Sequence, residues 1–555
     1  MTLPGLFQQT PLTLRMIFDR MRTVYADGEL VSPEGRFTYA ESAERILRLA
    51  RVLRDDLGIQ PGDRVATFAH NSARHFELYW AVPLVGAVLH TLNIRLYPEQ
   101  IVYIAEHAED VAIFFDGDED FGPVLEEVAP QLTTVRHWVR LSGEVGSGLP
   151  DVYEYEALLG AAAPLPTDEL PVVDEHAACG LCYTSGTTGM PKGVLYSHRG
   201  AVLHAFATCM TDHLGLSERD RVFPVVPMFH AFGWSLPYAA PFTGAELIFH
   251  GRDSSPENVA RVIEEERVTV TAGVPTIWKT LLPKVKDGTY DLSTLRLIGV
   301  GGAASPAALI EAYDQLGIGY LQIWGMTETG PLACVSRPRR AHRGYDDAQL
   351  LAQREKTGTI FAGLEMRICD DEDRELPWDG ESVGELEVRG PWIASSYYPG
   401  SDPSEADRAA TEAKFHHGWL RTGDVAYAEP DGYFRIVDRS KDLVKSGGEW
   451  ISSVELEGHI LAHPGVADAA VVGVPHPKWD ERPVAAIVPE DPADAPDLAS
   501  INAFLSGRVA KWWLPDQVVI VDEIPKTSVG KLDKKVLRTQ LENLGLDNDA
   551  SEVTA

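Results

Sequence analysis

From about residue 35 to 335, short apolar runs of strand length alternate with longer stretches of helical periodicity. Residues 64–69, 111–115, 221–226, 246–249 and 295–300 read as strands, and 39–57 and 255–267 as helices between them. This alternation predicts layered α/β architecture with largely parallel sheets. The texture changes at 357–437, where short β-type segments such as 384–390 and 432–437 are separated by turn residues. A β-rich subdomain is expected there. Beyond Asp438 a compact mixed unit follows, with helices expected at 453–461 and 499–511 and strands at 469–474, 484–488 and 518–521. Its proline-rich connector, 489–496, reads as an exposed loop. At 555 residues the chain exceeds one hydrophobic core. The expected organisation is a large N-terminal domain, 1–438, of layered α/β subdomains plus the β-rich subdomain, followed by a small mobile α+β C-terminal domain, 439–555.

The formal net charge of −33 argues against a nucleic-acid surface, which is basic. Anionic substrates must reach a locally positive site through an overall repulsive field. The N-terminus lacks a basic stretch followed by an apolar one, so no signal peptide is expected. The longest apolar run, 78–89, contains Pro83 and is well short of the roughly 20 residues that cross a membrane. It reads as a buried helix. Cysteines at 179, 182, 209, 334 and 369 fit a reducing cytoplasm. Cys179 and Cys182 form a CxxC, but no second pair and no histidines stand at ligand spacing. Two small residues in a buried strand are expected there rather than zinc.

Residues 184–193, TSGTTGMPKG, hold three glycines, four hydroxyls and one lysine, directly after a strand-like run at 177–183. Glycines let a loop curl so that several backbone N–H groups point at one anion, while hydroxyls and a lysine add donors and charge. This is the chemistry of a polyphosphate cradle. A Walker loop needs Gly-Lys followed by a hydroxyl, but Lys192 stands between Pro191 and Gly193. The stretch 299–304 fits GxGxxA, with Ser305-Pro306 suited to open a helix. It lacks the acidic strand end about 20 residues on that a dinucleotide site requires.

Further motifs stand in order along nearly the whole chain: MFHAFGW at 228–234, GGAA at 301–304, WGMTET at 324–329 and GELEVRGP at 384–391. RTGD at 421–424, DRSKDLVKSGGEWISSVELE at 438–457 and PKTSVGK at 525–531 follow. Together with 184–193 they resemble the adenylate-forming superfamily of acyl-CoA synthetases, luciferases and peptide-synthetase adenylation domains. LVKSGGEWISS and PHPKWDERP at 475–483 are most similar to the bacterial medium- and long-chain fatty-acyl-CoA synthetases.

The resemblance implies two half-reactions. A carboxylate attacks the α-phosphate of ATP and releases pyrophosphate, and coenzyme A then displaces AMP to give the thioester. Such chemistry needs positioned cations more than a protein nucleophile. By resemblance, Ser185, Gly186, Thr187, Thr188, Gly189 and Lys192 hold the β and γ phosphates, and Thr184 and Glu328 are Mg²⁺ ligands, hard oxygens for a hard cation. Gly302, Gln322, Trp324, Gly325 and Thr327 line the adenylate pocket, with Ile323 contributing through its main chain. Trp324 stands where the family usually has tyrosine. Asp424 accepts hydrogen bonds from the ribose, Arg439 contacts ribose and phosphate, and Lys445 and Trp450 belong to the nucleotide side. Lys441 matches the hinge about which the small domain turns, and Lys531 matches the lysine that bridges carboxylate and α-phosphate during adenylation. His230, Trp234, Ala303 and Ala304 line the acyl path. The implied activity is a fatty acid–CoA ligase acting as a homodimer through the large domain. The alternatives are a ligase for an aryl, thioether or branched acid and a non-catalytic acyl or nucleotide binder. Retention of Glu328, Asp424, Arg439 and Lys531 disfavours the binder.

Overall fold

The computed structural model describes residues 7–119, 121–144, 146, 148–184, 190–447, 449–526 and 532–543. Among these the strands form four sheets. The seven-stranded sheet runs in the order Val152–Glu154, His137–Gly143, Asp110–Gly117, Arg64–Phe68, Val88–Thr91, Ala178–Thr184, Lys192–Ser197. Its neighbours are parallel except for the last pair. The nine-stranded sheet runs Thr359–Ile360, Leu332–Val335, Gly319–Gly325, Leu297–Val300, Val270–Gly273, Arg221–Pro224, Glu246–Ile248, Glu29–Ser32, Gly35–Thr38. Its six central strands are parallel and antiparallel strands close both edges. Val88–Thr91, Val270–Gly273 and Leu297–Val300 are buried at every position, the mark of strands covered on both faces. The covering helices show the complementary pattern. In Tyr39–Arg51, Tyr39, Ala43, Ile46, Leu49 and Ala50 form one buried stripe, and a Thr38–Glu41 capping box satisfies the first turn.

The apolar run 78–89 is two elements and not one helix. The helix Ala73–Leu84 ends at a turn through Gly86 (φ +81°), and Val88–Thr91 is a strand. Both are fully enclosed, so neither shows the polar face by which periodicity separates helix from strand. Among the described residues no helix is long and apolar enough to cross a membrane.

The β-rich region is a five-stranded antiparallel sheet of Glu365–Cys369, Gly384–Arg389, Phe415–His416, Trp419–Ala428 and Phe434–Arg439. It contains a helix, Glu405–Lys414, that composition did not suggest. Ser404 and Asp407 form its capping box, and none of its residues is buried, so it carries no apolar stripe to read.

Beyond Arg439 the chain builds a fourth sheet from Val444–Ser446, Glu449–Ile451, Val466–His476, Asp480–Pro489 and Gln517–Ile520. The helix Ser453–Leu461 lies where it was expected and packs Leu456 and Ile460 against Val471 and Ile487. The second helix, Leu498–Leu505, stops short of 511 at Gly507 (φ +79°). A buried polar cluster ties this unit to the strand that precedes it. Ser453 donates through N–H and Oγ to Asp438 Oδ2 (2.6 and 2.5 Å), and Lys534 Nζ donates to Ser453 Oγ (2.5 Å) and meets Glu457 Oε1 at 2.7 Å. Asp438 is the penultimate residue of its strand, and Lys534 opens the helix Lys534–Asn543.

Residues Ala231, Phe232, Gly233, Trp234 and Ser235 all have φ between 43° and 60° and form a left-handed turn, although four of them carry side chains. Such backbone costs roughly 1–2 kcal/mol per residue, so the surroundings must hold it. The Phe232 ring lies 5.2 Å from that of Tyr79 and 5.0 Å from that of Tyr196, and occupies the space a Cβ at Gly180 would need, 1.9 Å away. Trp234 similarly covers Gly301, whose Cβ would meet the indole at 2.9 Å.

Two outcomes follow from this packing. Gly180→Ala lowers the unfolding free energy in urea by about 2 kcal/mol by displacing Phe232, and unchanged stability contradicts the close approach. Burial raises the Glu457 carboxyl from its usual 4.5 to about 7 against the pull of Lys534. Glu457 therefore contributes stability that is present below about pH 4.5 and lost as pH rises through about 7. The stability advantage of wild type over Glu457→Gln is accordingly larger at about pH 5 than at about pH 8, and a constant difference contradicts the assignment.

Candidate active site

The strands Gly319–Gly325, Trp419–Ala428 and Phe434–Arg439 converge on one carboxylate. Asp424 is 4% exposed, accepts Trp324 Nε1–H on Oδ2 at 2.9 Å, and meets Arg439 Nε on Oδ1 at 3.1 Å. Its backbone N–H donates to Thr422 Oγ1 (3.1 Å), which fixes the turn that presents it. Antiparallel register sets Asp424 opposite Arg439, so the ion pair is a cross-strand neighbour pair. A tyrosine at 324 has a hydroxyl at its tip, whereas the indole puts a donor on the ring edge, which is what reaches Asp424 here. The Trp324 ring is further fixed edge-on to Phe434 at 6.0 Å.

The second carboxylate of the site, Glu328, is also 4% exposed and lies in the short turn Thr327–Thr329. Tyr397 OH donates to its Oε1 (2.8 Å), Ala394 N–H donates to its carbonyl (2.8 Å), and Tyr196 OH donates to Thr327 O (2.7 Å). Gly325, at the end of the preceding strand, is required by a close approach, since a Cβ there would lie 1.9 Å from Pro331 O.

Segment 394–398 joins Glu328 to the glycine-rich loop, because Tyr398 N–H donates to Gly193 O (2.8 Å). Thr184 ends the strand Ala178–Thr184 and stands in register with Lys192, so the two are brought together across the loop. Lys192 Nζ pairs with Asp407 of the helix Glu405–Lys414. Lys192 and Ser404 together hold the Asp407 carboxyl down to about 2. A cleft of about 210 Å³ opens beside this pair, lined by Tyr103, His107, Tyr397 and Tyr398 among others. Ser185, Gly186, Thr187, Thr188, Gly189 and Lys531 lie outside the described residues.

The remaining positions divide. Gln322 spends its amide within the protein, its Oε1 accepting Ser305 N–H (3.0 Å) and its Nε2 donating to Arg354 O (2.6 Å), so it props up the loop carrying Gly302, Ala303 and Ala304. Those three residues are exposed, and Ile323 turns its side chain onto Gly299. His230 precedes the left-handed turn, and its carbonyl accepts Gly233 N–H (3.0 Å). Trp234 is buried at that turn against Gly301. Lys445 Nζ sits 4.7 Å from the ring centre of Trp450, which is 46% exposed. Among the described residues no hydrogen bond or ring contact is found between that pair and Asp424 or Glu328. Lys441 is exposed, and its carbonyl accepts from Arg538 (3.2 Å).

Three residues beside these groups escaped the sequence reading: Tyr397, which reaches Glu328, Asp407, which pairs with Lys192, and Lys414, whose Nζ donates to Thr422 O (3.0 Å). Tyr397 lies in SSYYPG with nothing local to show that it reaches Glu328. Asp407 and Lys414 belong to the helix with no buried face, where the one available signal was the Ser404–Asp407 capping box.

The described residues bring together two buried carboxylates, Lys192 at the end of the glycine-rich loop, and the Arg439 guanidinium on the strand that pairs with that of Asp424. Comparison with known proteins agrees with it. A family described as AMP-binding enzyme matches residues 19–398, and one described as AMP-binding enzyme C-terminal domain matches 455–531. The long-chain-fatty-acid–CoA ligase of Thermus thermophilus is 42% identical, covering 97% of both chains. The 3-methylmercaptopropionyl-CoA ligase of Ruegeria lacuscaerulensis is also 42% identical, covering 97% of this chain and 99% of its own. The medium-chain-fatty-acid–CoA ligase of Ectopseudomonas oleovorans is 38% identical over 99% of each. Among solved structures, the anthranilate CoA ligase AuaEII in complex with anthranoyl-AMP superposes with a TM-score of 0.85 at 26% identity, covering 97% of this chain and 99% of its own. The chain belongs to the AMP-binding enzymes, the adenylate-forming superfamily.

Proposed function

We propose that this protein is an ATP-dependent acid–thiol ligase that activates a fatty carboxylate as its acyl-adenylate and transfers the acyl group to coenzyme A. The observation that carries this reading is Asp424, a buried carboxylate clasped by Trp324 and Arg439, with the second buried carboxylate, Glu328, just after the strand that carries Trp324. A carboxylate set beside a guanidinium suits a ribose diol, which offers two donors. In this reading Trp324 packs against the base and Lys192 with the loop 184–193 grips the departing pyrophosphate. The Lys192–Asp407 pair then opens when phosphate oxygens replace the Asp407 carboxylate.

The donor set of the Glu328 carboxylate and the Thr184 hydroxyl fits Mg²⁺, a hard cation that takes oxygen ligands. When bound, Mg²⁺ neutralises phosphate charge. Tyr397 orients Glu328 through Oε1, and Glu328 and Thr184 would hold the ion. His230, Trp234, Ala303 and Ala304 border the acyl group in this reading, and the strained turn at Ala231–Ser235 sets how far Trp234 reaches over Gly301. The small domain, beginning after Asp438, brings Lys531 to the carboxylate and α-phosphate for the first half-reaction and turns about Lys441 for the second.

The acid is aliphatic in this proposal. A thioether acid is the competing reading, since the fatty-acid and 3-methylmercaptopropionyl relatives stand at the same identity. Pyrophosphate release, measured with and without coenzyme A over fatty, methylthio, branched and aryl acids, separates them. The fatty acids give the highest kcat/KM if the proposal holds. A preference for methylthio or aryl acids replaces the substrate assignment, and no release with any acid favours a binder. Lys531→Ala abolishes pyrophosphate release while sparing thioester formation from supplied acyl-AMP. Unchanged release in that variant contradicts the role given to Lys531.

A further inference from the structure

Lys414 ends the helix Glu405–Lys414, and the chain passes from it directly into Phe415–His416. The neighbouring Phe415 ring packs edge-on to Tyr397 at 5.1 Å, and Tyr397 donates to Glu328. Lys414 Nζ donates to Thr422 O (3.0 Å), two residues before Asp424, and lies over Gly423, whose Cβ would be 3.9 Å away. The end of this helix is thus wedged between the Glu328 turn and the Asp424 strand.

The half-buried ammonium is surrounded by carboxylates that other groups already hold. Glu328 accepts from Tyr397, Asp424 from Trp324 and Arg439, and Glu385 from Arg421 (3.0 Å). Burial pushes the ammonium pKa down, while Glu328, Asp424 and Glu385 pull it up. Yet Lys414 forms no ion pair with any of them among the described residues. An ammonium carries three donors, and one is spent on Thr422. A desolvated cation with donors to spare, lying between the carboxylate given to the ribose and the one given to the phosphates, faces the part of a nucleotide that joins the two.

We propose that Lys414 is a further catalytic residue, whose ammonium binds the α-phosphate oxygens of ATP and of the acyl-adenylate. The inference rests on the functional reading above and extends it. Lys414 is carried by the antiparallel sheet of the large domain, so it stays in place when Lys531 departs with the small domain. In adenylation the carboxylate oxygen bonds to the α-phosphorus, and the electron pair of the broken P–O bond leaves with pyrophosphate. In thiolysis the coenzyme A sulfur bonds to the acyl carbon and its proton passes to solvent. The electron pair of the broken C–O bond then stays on the AMP oxygen. Lys414 neutralises phosphate charge in both steps, whereas Lys531 acts in the first alone.

The test uses the full-length protein with Lys414→Met, Lys414→Arg and Lys531→Ala. Thioester formation is followed from the chemically prepared acyl-AMP of the best acid, and binding of AMP and of adenosine is measured by calorimetry. Lys414→Met slows thioester formation about 100-fold, the effect typical of removing one preorganised charge-stabilising donor. It weakens AMP about tenfold, leaves adenosine unchanged, and is partly rescued in Lys414→Arg. Lys531→Ala leaves thioester formation at the wild-type rate. Wild-type rates and AMP affinity in Lys414→Met overturn the proposal, and so does an equal loss of AMP and adenosine, which marks a merely structural role. A wild-type protein that releases no pyrophosphate overturns the functional reading, and the AMP–adenosine comparison still decides this one.

Discussion

The site depends on one ion pair with an indole beside it. Asp424 belongs to the antiparallel sheet, Trp324 to the last parallel strand of the nine-stranded sheet, and Arg439 is where the chain leaves for the C-terminal sheet. Two sheets therefore meet on a single buried carboxylate, one supplying Asp424 and Arg439 and the other Trp324. Removing Arg439 leaves the buried Asp424 carboxylate without its cation, whereas Arg439 itself is about half exposed. The Trp324–Asp424 hydrogen bond also links the nine-stranded sheet to the antiparallel one.

A second polar knot lies just along the strand. Asp438, next to Arg439, is bonded to Ser453, and through Ser453 to Lys534 and Glu457. This places the first residue of the final helix against the exit from the large domain. The motif lysine at 531 is only three positions before Lys534 in sequence. Cations recur around the site in a chain of net charge −33: Lys192, Lys414 and Arg439. Each stands beside carboxylates of the protein: Lys192 with Asp407, Arg439 with Asp424, and Lys414 near Glu328, Asp424 and Glu385.

Much of the layout was legible because its elements obey simple periodicities. The helix Ser453–Leu461 and the cores of Arg64–Phe68, Asp110–Gly117 and Leu297–Val300 fall where alternation of apolar runs and turns placed them. Misreadings occurred where pattern carries no information. The run 78–89 is enclosed on all sides, so helix and strand look alike, and Glu405–Lys414 buries nothing, so it shows no stripe at all. The site followed the same division. Trp324, Glu328, Asp424 and Arg439 sit in short motifs whose order survives in the linear chain. Tyr397, Asp407 and Lys414 make contacts across 69, 215 and 8 residues that no local spacing records. Gln322 sits in no such motif, and its amide bridges Ser305 N–H and Arg354 O, partners that sequence spacing does not record.

The central claim is that the carboxylates and cations gathered around Asp424 and Glu328 reversibly join an acid to the α-phosphate of ATP. Isotope exchange between labelled pyrophosphate and ATP, without coenzyme A, observes that step in both directions. The account predicts exchange that requires a carboxylic acid and is lost in Asp424→Asn. Exchange that proceeds without acid, or that persists undiminished in Asp424→Asn, contradicts it.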